Sequence, residues 1–148
     1  VIFGMKVISY RSSIGDAQAY LDTGNYEKAY QAVSGIKVSG NDEKLYQKAR
    51  ICASLAIQLK ACDSYLEMGK GLEALDSLVK AVKEYDIDAV NAEKLEIKDK
   101  QDSLLQKVSA KLMEEFHMTT AEARQIIALG GREEYTARLE EEVADYFS

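Results

Sequence analysis

The chain holds the stretch Tyr20-Leu21-Asp22-Thr23-Gly24 and, forty-five residues on, Tyr65-Leu66-Glu67-Met68-Gly69. Five residues past each glycine stands an alanine, Ala29 or Ala74, and nine past it a bulky apolar residue, Val33 or Leu78. Tyrosine, glycine, alanine and a large apolar residue echoing at a fixed offset mark a helical hairpin used twice. Such an architecture is built for binding, and nothing in the echo points to a reaction.

Composition agrees. There is no proline and no tryptophan, while residues of low helix cost (Ala, Leu, Glu, Lys, Gln) are plentiful, so an all-α fold is predicted. Apolar content of 47% with 30% charged residues excludes a disordered chain, and 148 residues suit one domain or one short solenoid. Net charge is −6, and the segment 132–148 sets two arginines against six carboxylates. No basic stripe exists to neutralise phosphates, which argues against a nucleic-acid partner. The acidic run reads as a solvated helix face or as a docking surface for a basic partner.

Helix boundaries follow from period and punctuation. A first helix is predicted from near Val7 to Asp22 and is broken at Gly24-Asn25; a second starts at Tyr26 and ends in the loop around Val38-Ser39-Gly40-Asn41. A long third helix, Asp42 to Met68, carries two overlapping apolar stripes through Cys52 and Leu59 and is therefore predicted to be central. After the turn Gly69–Gly71 a fourth helix is expected to stop at Asp86-Ile87-Asp88. The segment 89–116 is patterned clearly only from Leu104 to Phe116. Thr119-Thr120-Ala121-Glu122 is a capping box, Gly130-Gly131 a helix stop, and Tyr135, Leu139, Val143 and Tyr146 form the stripe of a last helix. Seven helices and no strand are expected.

The apolar lead Val1 to Ile8 admits two readings: the first turns of a packed helix, or the trailing end of a transmembrane helix lying upstream. A membrane-associated soluble domain and a cytoplasmic protein both remain open on this reading.

At Ala17, Tyr20, Gly24, Tyr26, Ala29, Val33 and Ile36, and again at Cys62, Tyr65, Gly69, Ala74, Leu78 and Ala81, the chain resembles the tetratricopeptide-repeat family. The resemblance covers about Ser13 to Asp86, with a period of forty-five in place of the family's thirty-four and no unit-ending proline. It implies antiparallel helical hairpins stacked as a short right-handed superhelical solenoid. An apolar lead would occupy residues 1–12, the repeats 13–86, and a C-terminal helical cap 87–148. A short apolar lead before a segment of this type is also similar to membrane-anchored, tetratricopeptide-like proteins of Gram-positive bacteria. The resemblance further implies a groove along the first helix of each hairpin, which on this chain falls at Arg11, Gln18, Asp22, Asp63 and Glu67. Three of the five are acidic, so the expected ligand is a protein or peptide with a basic segment.

Residues capable of other chemistry read as structural. Cys52 and Cys62 are ten apart on one helix, a rise of about 15 Å, too far for a disulfide and suited to packed thiols. The single histidine, His117, sits at a helix end without metal-ligand spacing around it. Gly130-Gly131-Arg132 lacks the strand and the Gly-Lys-Ser/Thr of a phosphate loop. No catalytic residue, metal or cofactor is expected. The function expected is a non-catalytic interaction module; the alternative is a structural or spacer domain that self-associates.

Overall fold

A computed structural model describes the backbone from residue 2 to 147 and the side chains from residue 10 to 144. Among the described residues the chain is all-α, with seven helices and no strand: α1 (Ile2–Asp22), α2 (Tyr26–Ser34), α3 (Asp42–Glu67), α4 (Gly71–Lys94), α5 (Lys98–Phe116), α6 (Thr120–Ile127) and α7 (Arg132–Phe147). Helix α1 starts well before Val7. The two readings of the Val1–Ile8 lead turn on side chains that lie outside the described residues, as does Tyr146 of the last stripe. No described helix is long and apolar enough to cross a membrane.

The largest departure from expectation is in α4. It runs unbroken through Asp86-Ile87-Asp88 to Lys94, so the boundary drawn at residue 86 falls inside a helix. The reason is tertiary. Asp88 is buried and meets Arg50 of α3 at 3.1 Å, while Asp86 takes a two-pronged bond from Arg124 of α6 at 2.9 and 3.0 Å. Carboxylates that would otherwise compete for nearby backbone amides are occupied by guanidinium groups. The turn comes later, at Leu95–Ile97, where Glu96 adopts φ +60°. A glutamate in that conformation leaves no trace in composition.

Packing follows chain order. Short turns make α3·α4 and α4·α5 antiparallel pairs, and α1 packs on both α2 and α3 as α3 does on α4 and α5. Helix α3 is central as its double stripe required, and α4 shares that place, touching α3, α5, α6 and α7. The core has two parts. One gathers Ala17, Leu21, Ala29, Val33, Cys52 and Leu55 from α1–α3 with Ala92 and Leu104 from the far ends of α4 and α5. The other joins Cys62, Leu75, Leu78 and Val82 to Leu112 and Phe116 and to α6 and α7 through Ile126 and Leu139. Leu59 packs against both.

Ala29 and Ala74 are fully buried, as close helix approach demands, and Tyr20 and Tyr65 pack half-buried against the two core parts. The Thr119 capping box forms as expected, with the Glu122 amide donating to Thr119 Oγ1 at 3.1 Å and the Thr119 amide to the Glu122 carboxylate at 3.4 Å.

Candidate functional site

The two tyrosine–glycine signatures fold into the same turn. Gly24 and Gly69 take φ +82° and +71°; the next amide, Asn25 or Lys70, donates to the carbonyl of Tyr20 or Tyr65 at 2.8 Å in both. At the fourth residue of the following helix, the Ala29 amide donates to the Asn25 carbonyl and the Ala74 amide to that of Lys70, each at 3.0 Å. The six-residue span closed by a left-handed residue is a Schellman turn, which satisfies carbonyls that a helix end leaves open. It recurs between α4 and α5, where Ile97 donates to Ala92 at 2.9 Å and Glu96 stands in the glycine position. The hairpins it closes are unequal: α1 and α2 have 21 and 9 residues, α3 and α4 have 26 and 24.

The five groove positions are all exposed, three on α1 and two on α3, and these helices are in contact. Asp22 and Glu67 hold equivalent places, two residues before their turn glycines. Gln18 donates to Asp22 at 2.8 Å and so belongs to the same patch, whereas Arg11 lies three turns back along α1, about 16 Å away by helical rise. Asp63 differs from the others. Lys111 of α5 reaches it at 2.7 Å, and that bond raises the Lys111 pKa. Its charge is thus answered from within the fold, whereas Asp22 and Glu67 face solvent with no ion pair among the described residues.

A concavity that the sequence did not disclose lies between α4, the α6–α7 turn and α7. Its first lobe has a volume of about 320 Å³, with Lys80, Lys83 and Arg132 set among Val79, Ile127 and Tyr135. A second lobe of about 380 Å³ shares Lys80, Arg132 and Tyr135 and extends the apolar wall to Leu72 and Leu139. At the junction Asp76 binds Lys80 at 2.7 Å and accepts the Tyr135 hydroxyl at 2.6 Å. Burial, then the bond to Asp76, pushes the Tyr135 phenol upward, so it stays a donor. Glu134 folds back over Gly131, where an added Cβ would come within 1.8 Å of its carboxylate and displace the end of that exposed side chain. The only signals in the chain were the lysine pair three apart on α4 and the double glycine, which had read as a helix stop.

Elsewhere the polar groups hold the fold together. Tyr85 donates to Asp102 at 2.6 Å and receives Lys98, and the buried Gln101 amide donates to the Tyr85 carbonyl at 3.2 Å, clasping α4 to α5. Both cysteines are free and buried, and burial pushes their thiols up to about 12 for Cys52 and about 11 for Cys62. His117 closes α5 in a left-handed conformation, φ +50°. Among the described residues no cluster of three His, Cys, Asp or Glu could hold a metal ion.

No known protein family, no curated protein and no solved structure matches this chain. What the fold defines is a class: an all-α protein with, among the described residues, seven helices packed largely in sequential order.

Proposed function

We propose that this protein is a non-catalytic, tetratricopeptide-repeat-like interaction module that binds a protein or peptide carrying a basic segment along α1 and α3. The observation that carries the reading is the repeated turn, with a left-handed glycine and the same 2.8 Å and 3.0 Å backbone bonds at both signatures. It opens the second helix of each hairpin in the same local way, and Asp22 and Glu67 each stand two residues before its glycine. Neither carboxylate forms an ion pair with a described residue, and such a charge attracts a lysine or arginine side chain.

The test is capture of partners from an extract on the immobilised, cross-linked domain, repeated with Asp22→Lys/Glu67→Lys. Asp63→Lys is the poorer choice, because it would set a lysine against Lys111 and disturb the α3–α5 contact. A partner retained by the wild type and lost by the double variant supports the groove. Undiminished capture by the variant removes it. Recovery of the chain alone favours the self-associating spacer, for which Ile87 and Val90, 61% and 63% exposed one turn apart on α4, are the surface to probe.

A further inference from the structure

We propose that the cleft between α4, the α6–α7 turn and α7 is a second binding site, for a carboxylate borne on an apolar body. It is distinct from the acidic α1–α3 face and does not depend on that reading. In a protein of net charge −6, the first lobe is lined by Lys80, Lys83 and Arg132 and by no acidic residue, with the Glu134 carboxylate at its edge over Gly131. Glu73 and Asp76 line the second lobe, so the ligand's carboxylate belongs in the first. Lys80 is answered by Asp76, but neither Lys83 nor Arg132 forms an ion pair with any described residue.

Two like charges converging on one concavity repel each other, and an entering anion relieves that repulsion. An arginine fork suits a carboxylate, which it can meet with two parallel bonds. The walls decide the rest of the ligand. Val79 and Ile127 beside the cations, with Leu72 and Leu139 in the adjoining lobe, offer apolar contact over a volume typical of small-ligand pockets. A bare inorganic anion would leave that wall wet. The amides opening α7 are not the site, since Glu134 already folds back over Gly131 at that helix end.

The experiment is a titration of the isotope-labelled protein with acetyl-Leu-Glu amide, followed by backbone amide shifts. Parallel titrations use the uncharged acetyl-Leu-Gln amide and inorganic phosphate. The expected result is a saturable shift of Lys83, Gly130, Gly131, Arg132 and Tyr135 with the acidic probe alone. Binding should weaken by about tenfold in Lys83→Gln/Arg132→Gln, the loss of two solvent-edge charge contacts. Both side chains are exposed and unpaired, so the spectrum outside the cleft should not change; Lys83→Glu/Arg132→Glu should abolish the shift entirely. Three results overturn the proposal: no saturable shift, equal response to the glutamine probe, or unchanged affinity in the glutamine variant. An equal response to phosphate overturns the apolar half of it and leaves a site for charge only.

Discussion

At the scale of single residues, six described positions hold the chain in the left-handed conformation between helices (Gly24, Gly40, Gly69, Glu96, His117 and Gly130), and Gly24, Gly69 and Glu96 do so in the first three tight turns. Any Cβ there crowds the following carbonyl, at a cost of about 1–2 kcal/mol. Gly24→Ala and Gly69→Ala should each lower stability by about 1 kcal/mol, and Glu96→Gly should raise it by up to about the same amount. Urea unfolding of the three variants checks this; a neutral or destabilising Glu96→Gly would mean that the glutamate side chain compensates elsewhere. The glycines were legible because glycine is the usual solution to that backbone. Glu96 was not, because a strained residue kept in place by the helices on either side carries no sequence signal. The cysteines give a second prediction. With thiols raised to about 12 and 11 by burial, Ellman's reagent at pH 8 should react with Cys52 and Cys62 only as fast as the protein opens. A burst of thiol release from the folded protein would contradict that.

At the scale of elements, α4 is decided by the charges it meets. Asp88 is almost wholly enclosed, with 5% of its side chain exposed, and Arg50 is its partner. Arg50→Ala leaves that carboxylate unpaired inside the fold and should cost about 2–3 kcal/mol, somewhat below the usual loss because Arg50 itself is partly solvated. The Arg124–Asp86 pair is exposed on both sides, and Arg124→Ala should cost less than about 1 kcal/mol. Equal losses in the two variants would show that burial is not what separates them. The clasp between α4 and α5 adds a pH dependence. The Tyr85 hydroxyl, with Lys98, holds the Asp102 carboxyl below its ordinary value against the opposing effect of burial. A folded-state pKa below the unfolded one of about 3.9 means stability that is full above that pH and lost as pH falls through the lower folded value. Burial pulls Lys98 down, yet its bonds to Tyr85 and Asp102 outweigh this and raise it, so its share persists below about 10.4 and fades above. Asp102→Asn should therefore be less stable than wild type at neutral pH, with the gap closing as pH drops below about 4. A gap that stays constant into acid would remove the charge from the account.

At the scale of the molecule, two core parts share Leu59 and are bridged by α3, α4 and α5, while α1–α2 and α6–α7 each pack on one end. Chains packed in sequence order unfold most easily from their ends. Hydrogen exchange should find the strongest protection in α3 and α4 around Cys52–Leu59 and Leu75–Val82, with α2 and α7 exchanging earlier. Uniform protection from α1 to α7 would instead indicate one indivisible unit. Leu78→Ala, at a fully buried site in that central region, should cost about 3 kcal/mol and lower protection throughout.

The sequence by itself determined the all-α class, the number of helices, the two glycine turns, the Thr119 cap and the central place of α3. Each is a local matter, set by helix propensity, by the backbone freedom of glycine, or by an apolar stripe repeating every three to four residues. The tertiary structure alone decided that α4 runs through Asp86 and Asp88, that Asp63 is answered by Lys111, and that Lys80, Lys83 and Arg132 converge beside Tyr135. Those facts depend on partners 38, 48 and about 50 residues away in the chain. Charges separated so far along the sequence meet only once the helices have packed, and it is the packing that tells them which one to meet.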